Sequence, residues 1–186
     1  MNTSSYLYIT LGILAVVLFY VWSIYNTLAT AKVRIKEALS SIDVQLKRRV
    51  DLIPNLIETV KGYTTHEKTV LESVTRARTS IMRAQSLEGK IKSNNALSDA
   101  LKSLFAVSES YPELKASANY LELQEELEDT ENKIAYARQF YNSNIRDYNT
   151  TLANFPSGKI GRLFGFKEEV FFEIGNKERE PVKVSF

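Results

Sequence analysis

Few side chains in this sequence are equipped for chemistry. Cysteine is absent and His66 is the single histidine. That removes disulfides, thiolate ligands and cysteine nucleophiles, and leaves the imidazole without a second ligand at metal-binding spacing. Glu125, Glu126, Glu128 and Asp129 crowd one stretch. Paired carboxylates can do acid–base work, but no nucleophile or oxyanion device accompanies them. No glycine-rich phosphate loop, G-x-S-x-G or H-E-x-x-H occurs. No catalytic residue, metal ligand or cofactor is expected, and the chain reads as a non-enzyme. The densest polar cluster lies in LKRRVDLIPNLIETVKGY, Leu46 to Tyr63, where Lys47, Arg48 and Arg49 precede Asp51, Pro54 and Asn55. A basic triplet could grip phosphate, but a net charge of +2 over 186 residues argues against nucleic acid as the partner.

The elements that must position this cluster begin with an apolar run. The first 31 residues carry no charge, and Tyr6 to Tyr25 (YLYITLGILAVVLFYVWSIY) supplies the 20 residues that fit a hydrocarbon core of about 30 Å. Tyr6 and Tyr8 at one end, and Tyr20, Trp22 and Tyr25 at the other, match interfacial aromatic belts. A cleaved signal peptide would want a basic leader and a small-residue cleavage site, and neither is present. Positive charge flanks only the far end, at Lys32, Arg34 and Lys36, so the short N-terminus is expected outside and the remainder in the cytoplasm. These three lysine and arginine side chains are placed to meet anionic lipid. Arg48 lies about 35 Å further along a helix from Tyr25, beyond lipid reach.

Past the membrane, apolar residues recur at Ile35, Leu39, Ile42, Leu46, Val50, Ile53, Ile57 and Val60, in steps of three and four that define one helix face. The phase runs through Pro54, so a bend is expected there, with a new helix starting at Asp51 as the alternative. Thr64 and Glu67 fit a capping box for a second helix, about Thr65 to Gln85, with Val70, Val74, Ala77 and Ile81 inward. Ser86 to Asn95 is polar and holds Gly89, so it reads as a loop. A third helix is expected over Ala96 to Ser110, with Leu97, Leu101, Leu104, Phe105 and Ser108 inward. A fourth follows over about Ala116 to Asn154, where Tyr120, Leu127, Ile134, Tyr141, Tyr148 and Phe155 recur every seven residues. Lys159 to Phe172 reads as a segment docked on the bundle or an interfacial amphipathic helix, and Pro181 to Phe186 alternates like a strand.

Charge is unevenly shared. Residues 32–100 hold thirteen bases and eight acids, and residues 101–186 hold eleven bases and fourteen acids. Such complementary halves suit packing against each other or against another copy. Lys47, Arg48, Arg49, Asp51, Pro54, Asn55, Glu125, Glu128 and Glu131 are therefore expected to make contacts within the bundle or between subunits.

Three blocks carry a resemblance. YNTLATAKVRIKEALSSIDVQLKRRVDLIPNLIETVKGYTTHE (Tyr25 to Glu67), SYPELKASANYLELQEELEDTENKIAYARQFYNSNIRDYNT (Ser110 to Thr150) and NFPSGKIGRLFGFK (Asn154 to Lys167) resemble the LemA family, as does the closing P-x-x-V-x-F. The resemblance implies a bacterial protein anchored in the cell membrane, with a cytoplasmic up-and-down bundle, and it does not imply an enzyme. The expected fold is all-α: a transmembrane helix at 6–28 after a five-residue tail, an antiparallel bundle of about four long helices at 29–156, and a short extended tail at 157–186. The expected role is a self-associating scaffold that organises membrane or membrane proteins, or else an adaptor recruiting a membrane-associated enzyme, protease or signalling protein. The expected partners are membrane lipid, further copies of the chain and a membrane-associated protein.

Overall fold

A computed structural model describes residues 3–64 and 67–172. His66 and the alternating close at Pro181 to Phe186 lie outside the described residues. The fold is all-α. The chain runs through α1 (Thr3–Lys61), α2 (Lys68–Arg83), α3 (Leu87–Ser108), α4 (Pro112–Lys115), α5 (Ala118–Ala153) and α6 (Ser157–Leu163), with no strand among the described residues. Two compact units emerge, one from residues 3–38 with Phe140–Phe171, the other from Leu39–Gln139 joined by Phe172.

In the first unit, α1 is the one described helix long and apolar enough to cross a membrane, with a mean hydropathy of 2.2 in its most apolar window. Side chains from Tyr6 to Phe19 stand exposed all round the helix, which is how a helix looks when its solvent is lipid rather than protein. Burial begins at Ile24 and Leu28 and continues at Ile35 and Ala38. The C-terminal part of α5 contributes Tyr141, Ile145, Tyr148 and Leu152 to the same core.

The glycines of NFPSGKIGRLFGFK explain that block physically. A Cβ on Gly158 would fall 2.0 Å from the Leu152 carbonyl oxygen, and one on Gly161 would meet Leu28 and Leu152 methyls at 2.7 Å. Gly165 adopts φ +82°, a left-handed conformation that side chains resist. The turn after α5 can therefore close tightly, and the segment beyond α6 returns along α5. Tyr148 Oη donates to the Lys167 carbonyl at 2.8 Å. The Asn149 amide brackets the Glu169 backbone, donating to its carbonyl at 2.9 Å and accepting from its N–H at 3.0 Å. Phe155, expected to continue the seven-residue core series, is 79% exposed because α5 stops at Ala153.

In the second unit, Ile42, Leu46, Val50, Ile53, Leu56 and Val60 of α1 are buried. They pack in a unit that also holds the buried Leu71, Val74, Ala77 and Ile81 of α2 and Leu97, Leu101 and Leu104 of α3. Val70 and Phe105, both expected inward, are only half-buried. Tyr120, Leu127 and Ile134 of α5 are buried as their spacing predicts, and Tyr120 Oη donates to Ser108 Oγ at 2.7 Å. Burial raises the Tyr120 phenol above its usual range, and the bond to Ser108 opposes the shift.

Helix α1 continues through Pro54, as the unbroken apolar phase predicts, and does not restart at Asp51. Pro54 lacks the N–H that would pair with the Val50 carbonyl, and Arg78 Nε from α2 donates to that carbonyl at 3.2 Å. The residues 86–95 are helix rather than loop: Ser86 caps α3 by accepting from the Gly89 N–H at 3.1 Å, and Glu88 sits in the first turn, both favourable at a helix N-terminus. The capping box at Thr64 does not form. Thr64 Oγ1 donates back to the Val60 carbonyl, Glu67 itself occupies the N-cap of α2 without a side-chain bond, and its carboxylate accepts from Tyr111 Oη at 3.1 Å.

Two stability effects follow, read by denaturant unfolding of the detergent-solubilised chain. Arg78→Met should cost about 1–2 kcal/mol, and markedly less in a Pro54→Ala background, where the helix N–H is restored. Equal costs in both backgrounds would mean that Arg78 does not substitute for the missing donor. Gly158→Ala should cost about 3 kcal/mol through overpacking, whereas Gly12→Ala, with nothing within 4 Å, should stay within about 0.5 kcal/mol.

Candidate functional site

The basic triplet on α1 divides by helical angle into three different environments in the second unit. Lys47 points to solvent and pairs with Asp51 one turn on, at 2.9 Å, an exposed contact worth about 0.3–0.5 kcal/mol. Arg48 reaches α5, with Nη2 2.7 Å from Glu126 and Nη1 3.5 Å from Asp129. Arg49 turns inward and is 3% exposed.

Arg49 organises the polar interior of this unit. Its Nη1 donates to Asn94 Oδ1 at 2.8 Å and Ser98 Oγ at 3.1 Å, both on α3, and to the Glu131 carboxylate on α5. Ser98 Oγ in turn lies 3.3 Å from Glu131 Oε1. One cation thus joins three helices. Burial pushes the Arg49 guanidinium below its ordinary pKa while Glu131 pulls it back up. Arg49 Nε is buried with no hydrogen-bond partner among the described residues, so the Nη1 bonds carry the compensation for desolvation. A second cross-link, Lys90 Nζ to Asp43 at 2.6 Å, ties the start of α3 to α1.

Other residues singled out by sequence stand apart from this network. Pro54, Asn55, Glu125 and Glu128 are exposed. Neither Glu125 nor Glu128 has an ion pair among the described residues. In the first unit, Tyr6, Tyr8, Tyr20, Trp22 and Tyr25 line the exposed surface of α1. Tyr25 also meets Phe164 and Phe166 edge-on, with ring centroids 5.4 and 5.6 Å away. Lys32 lies 3.4 Å from Glu169, while Arg34 and Lys36 are exposed.

The sequence reading missed Asn94 and Ser98, and with them the reason Arg49 can be buried. Asn94 fell in a stretch taken for a loop, although Ser86 followed by Glu88 was a helix-start signal. Lys90, Asp43 and Arg78 were also missed, because their partners lie 47 and 28 residues away. Among the described residues no three histidine, aspartate or glutamate side chains gather as metal ligands. Chemically, the Arg49 arrangement holds helices together, its guanidinium buried and the Glu131 carboxylate partly exposed.

A family model supplies the deciding comparison, since the LemA family matches residues 38–186, a span that contains every residue of this network. The chain belongs to the LemA family. Two magnetosome proteins MamQ of Paramagnetospirillum magneticum are 25% identical over 175 residues, covering 80% of this chain and 64% of theirs. A LemA protein of Metamycoplasma hominis is 25% identical over 190 residues, covering 99% of this chain and 85% of its own. The chain thus spans less than two thirds of the MamQ relatives' length. Within the LemA family match lie Arg48, Arg49, Glu126 and Glu131, whereas the apolar segment precedes it.

Removing Glu131 leaves Arg49 charged, buried and short of a partner. Glu131→Ala should therefore cost about 3 kcal/mol, the low end for a broken buried pair because Glu131 is partly exposed. Arg49→Met combined with Glu131→Gln should recover most of that loss. Thermal unfolding of the single and double variants checks this: a double variant as unstable as Glu131→Ala would contradict the desolvation account.

Proposed function

We propose that this LemA-family chain is a non-enzymatic, single-pass membrane scaffold whose helical part self-associates through its outer charges. The observation that carries the reading is a contrast between inside and outside. Arg48, Arg49, Lys90 and Arg78 are engaged in joining helices of one chain, whereas exposed charges of both signs lack ion pairs among the described residues. Glu125 and Glu128 lie on one face of α5, while Arg76 and Arg83 lie on α2 and Lys92 on α3. An acidic face and a basic face on different helices of one unit suit a head-to-tail contact between copies, which builds extended assemblies rather than closed pairs.

The bare apolar stretch of α1 supports anchorage, and its one-sided basic flank supports a cytoplasmic helical part with the N-terminus outside, in a bacterial cell membrane. Relatives named as magnetosome proteins are consistent with work at a membrane. Such a scaffold would gather lipids and membrane proteins around itself without performing a reaction on them.

Sedimentation of the detergent-extracted chain across a concentration series tests the reading. The wild type should form particles larger than a monomer that shrink as salt rises, since exposed charge contacts are screened within about 8–10 Å. Glu125→Lys with Glu128→Lys should give smaller particles, and adding Arg76→Glu with Arg83→Glu should restore them. A monomer at every concentration and salt would contradict assembly and favour an adaptor that recruits a membrane-associated protein.

A further inference from the structure

We propose that the turn and helix of NFPSGKIGRLFGFK form a second membrane contact, a foot that inserts into the lipid interface beside the transmembrane segment. The inference rests on the membrane reading of α1 and adds a site to it. Three apolar side chains are left bare on this small element: Phe155 is 79% exposed, Leu163 84% and Phe164 50%. Burial elsewhere in the first unit is tight enough that a glycine Cβ would not fit at 158 or 161, so these three are not the residue of loose packing.

Their level along α1 identifies what covers them. Tyr25 closes the apolar run at its charged end, and its ring meets Phe164 and Phe166. Gly161 packs against Leu28, only about 4.5 Å further along the helix axis. If Tyr6 to Tyr25 crosses the hydrocarbon, α6 sits at the headgroup level, where exposed Phe and Leu gain by moving apolar surface from water into lipid.

Charge fits the same surface. From Asn154 to Lys167 the chain carries Lys159, Arg162 and Lys167 and no acid, all three exposed. Lys159 Nζ lies 5.5 Å from the Phe155 ring centroid, so a cation accompanies one of the apolar side chains. Bases next to exposed aromatic and aliphatic residues match the pattern of interfacial elements that bind anionic phospholipid. A hydrophobic partner protein would not require three bases around three apolar side chains.

The absence of cysteine makes a direct test simple. Single substitutions Leu163→Cys, Val16→Cys and Met82→Cys in the full chain take a nitroxide spin label after reconstitution into vesicles containing phosphatidylglycerol. Collision with oxygen, which concentrates in lipid, is compared with collision with a water-soluble nickel chelate. The proposal expects the Leu163 label to favour oxygen over nickel by at least threefold more than the Met82 label on α2, at a depth shallower than Val16. A Val16 label deep in lipid with a Leu163 label matching Met82 would overturn the foot and leave the membrane span standing. A Val16 label open to nickel would overturn both. A Leu163 label shielded from oxygen and nickel alike would mean that a second copy of the chain covers the surface, and would also overturn the proposal.

Discussion

A buried guanidinium must find partners for its charge, and Arg49 imposes that demand on everything around it. Its acceptors come from α3 and α5, so three helices of the second unit must hold a defined rotation and register for the charge to be tolerated. Apolar burial supplies most of the favourable free energy, but apolar contacts are permissive about rotation. The polar site is restrictive: a turn of α3 that moves Asn94 and Ser98 away strands the charge. Arg48 and Lys90 add links at the periphery of the same arrangement, to Glu126 and Asp129 in one case and Asp43 in the other.

The constraint also explains which polar residues are available for other work. Charges engaged inside cannot bind partners, so in the proposed assembly the contacts between copies fall to the outer faces of α2, α3 and α5. The first unit follows a different logic. Its closeness depends on glycines that let a turn press against Leu152 and Leu28, and on Tyr148 and Asn149, which satisfy the backbone of the returning segment. The arrangement leaves Phe155, Leu163 and Phe164 exposed, with the Phe164 ring beside Tyr25 at the end of the apolar run. In the proposed reading the same short block links anchorage to close packing.

Much of the helical core was legible from spacing. Steps of three and four along Ile42 to Val60 mark a buried face, except that Leu56 is buried where Ile57 was expected and Ile57 is half-buried. The seven-residue recurrence from Tyr120 to Tyr148 is buried throughout. Features that depend on a partner distant in sequence were not legible. Pro54 looked like a bend or a break, and only Arg78 on a neighbouring helix explains how α1 passes through it. Arg49 looked like one of three equivalent bases until helical angle separated it from Lys47 and Arg48. Polarity misled at 86–95, where Asn94 is buried because it binds Arg49 and not because the segment is apolar. Thr64 and Glu67 had the right types for a cap, yet each had a competing acceptor or donor nearby.

We propose that the chain works as an assembly held at the membrane. Single-molecule photobleaching of the fluorescently tagged full chain, expressed at low density in a bacterial membrane, tests this without detergent. Immobile or slowly moving spots that bleach in several steps are expected, with fewer steps when Glu125 and Glu128 are reversed to lysine. Spots that bleach in one step at every expression level would contradict it.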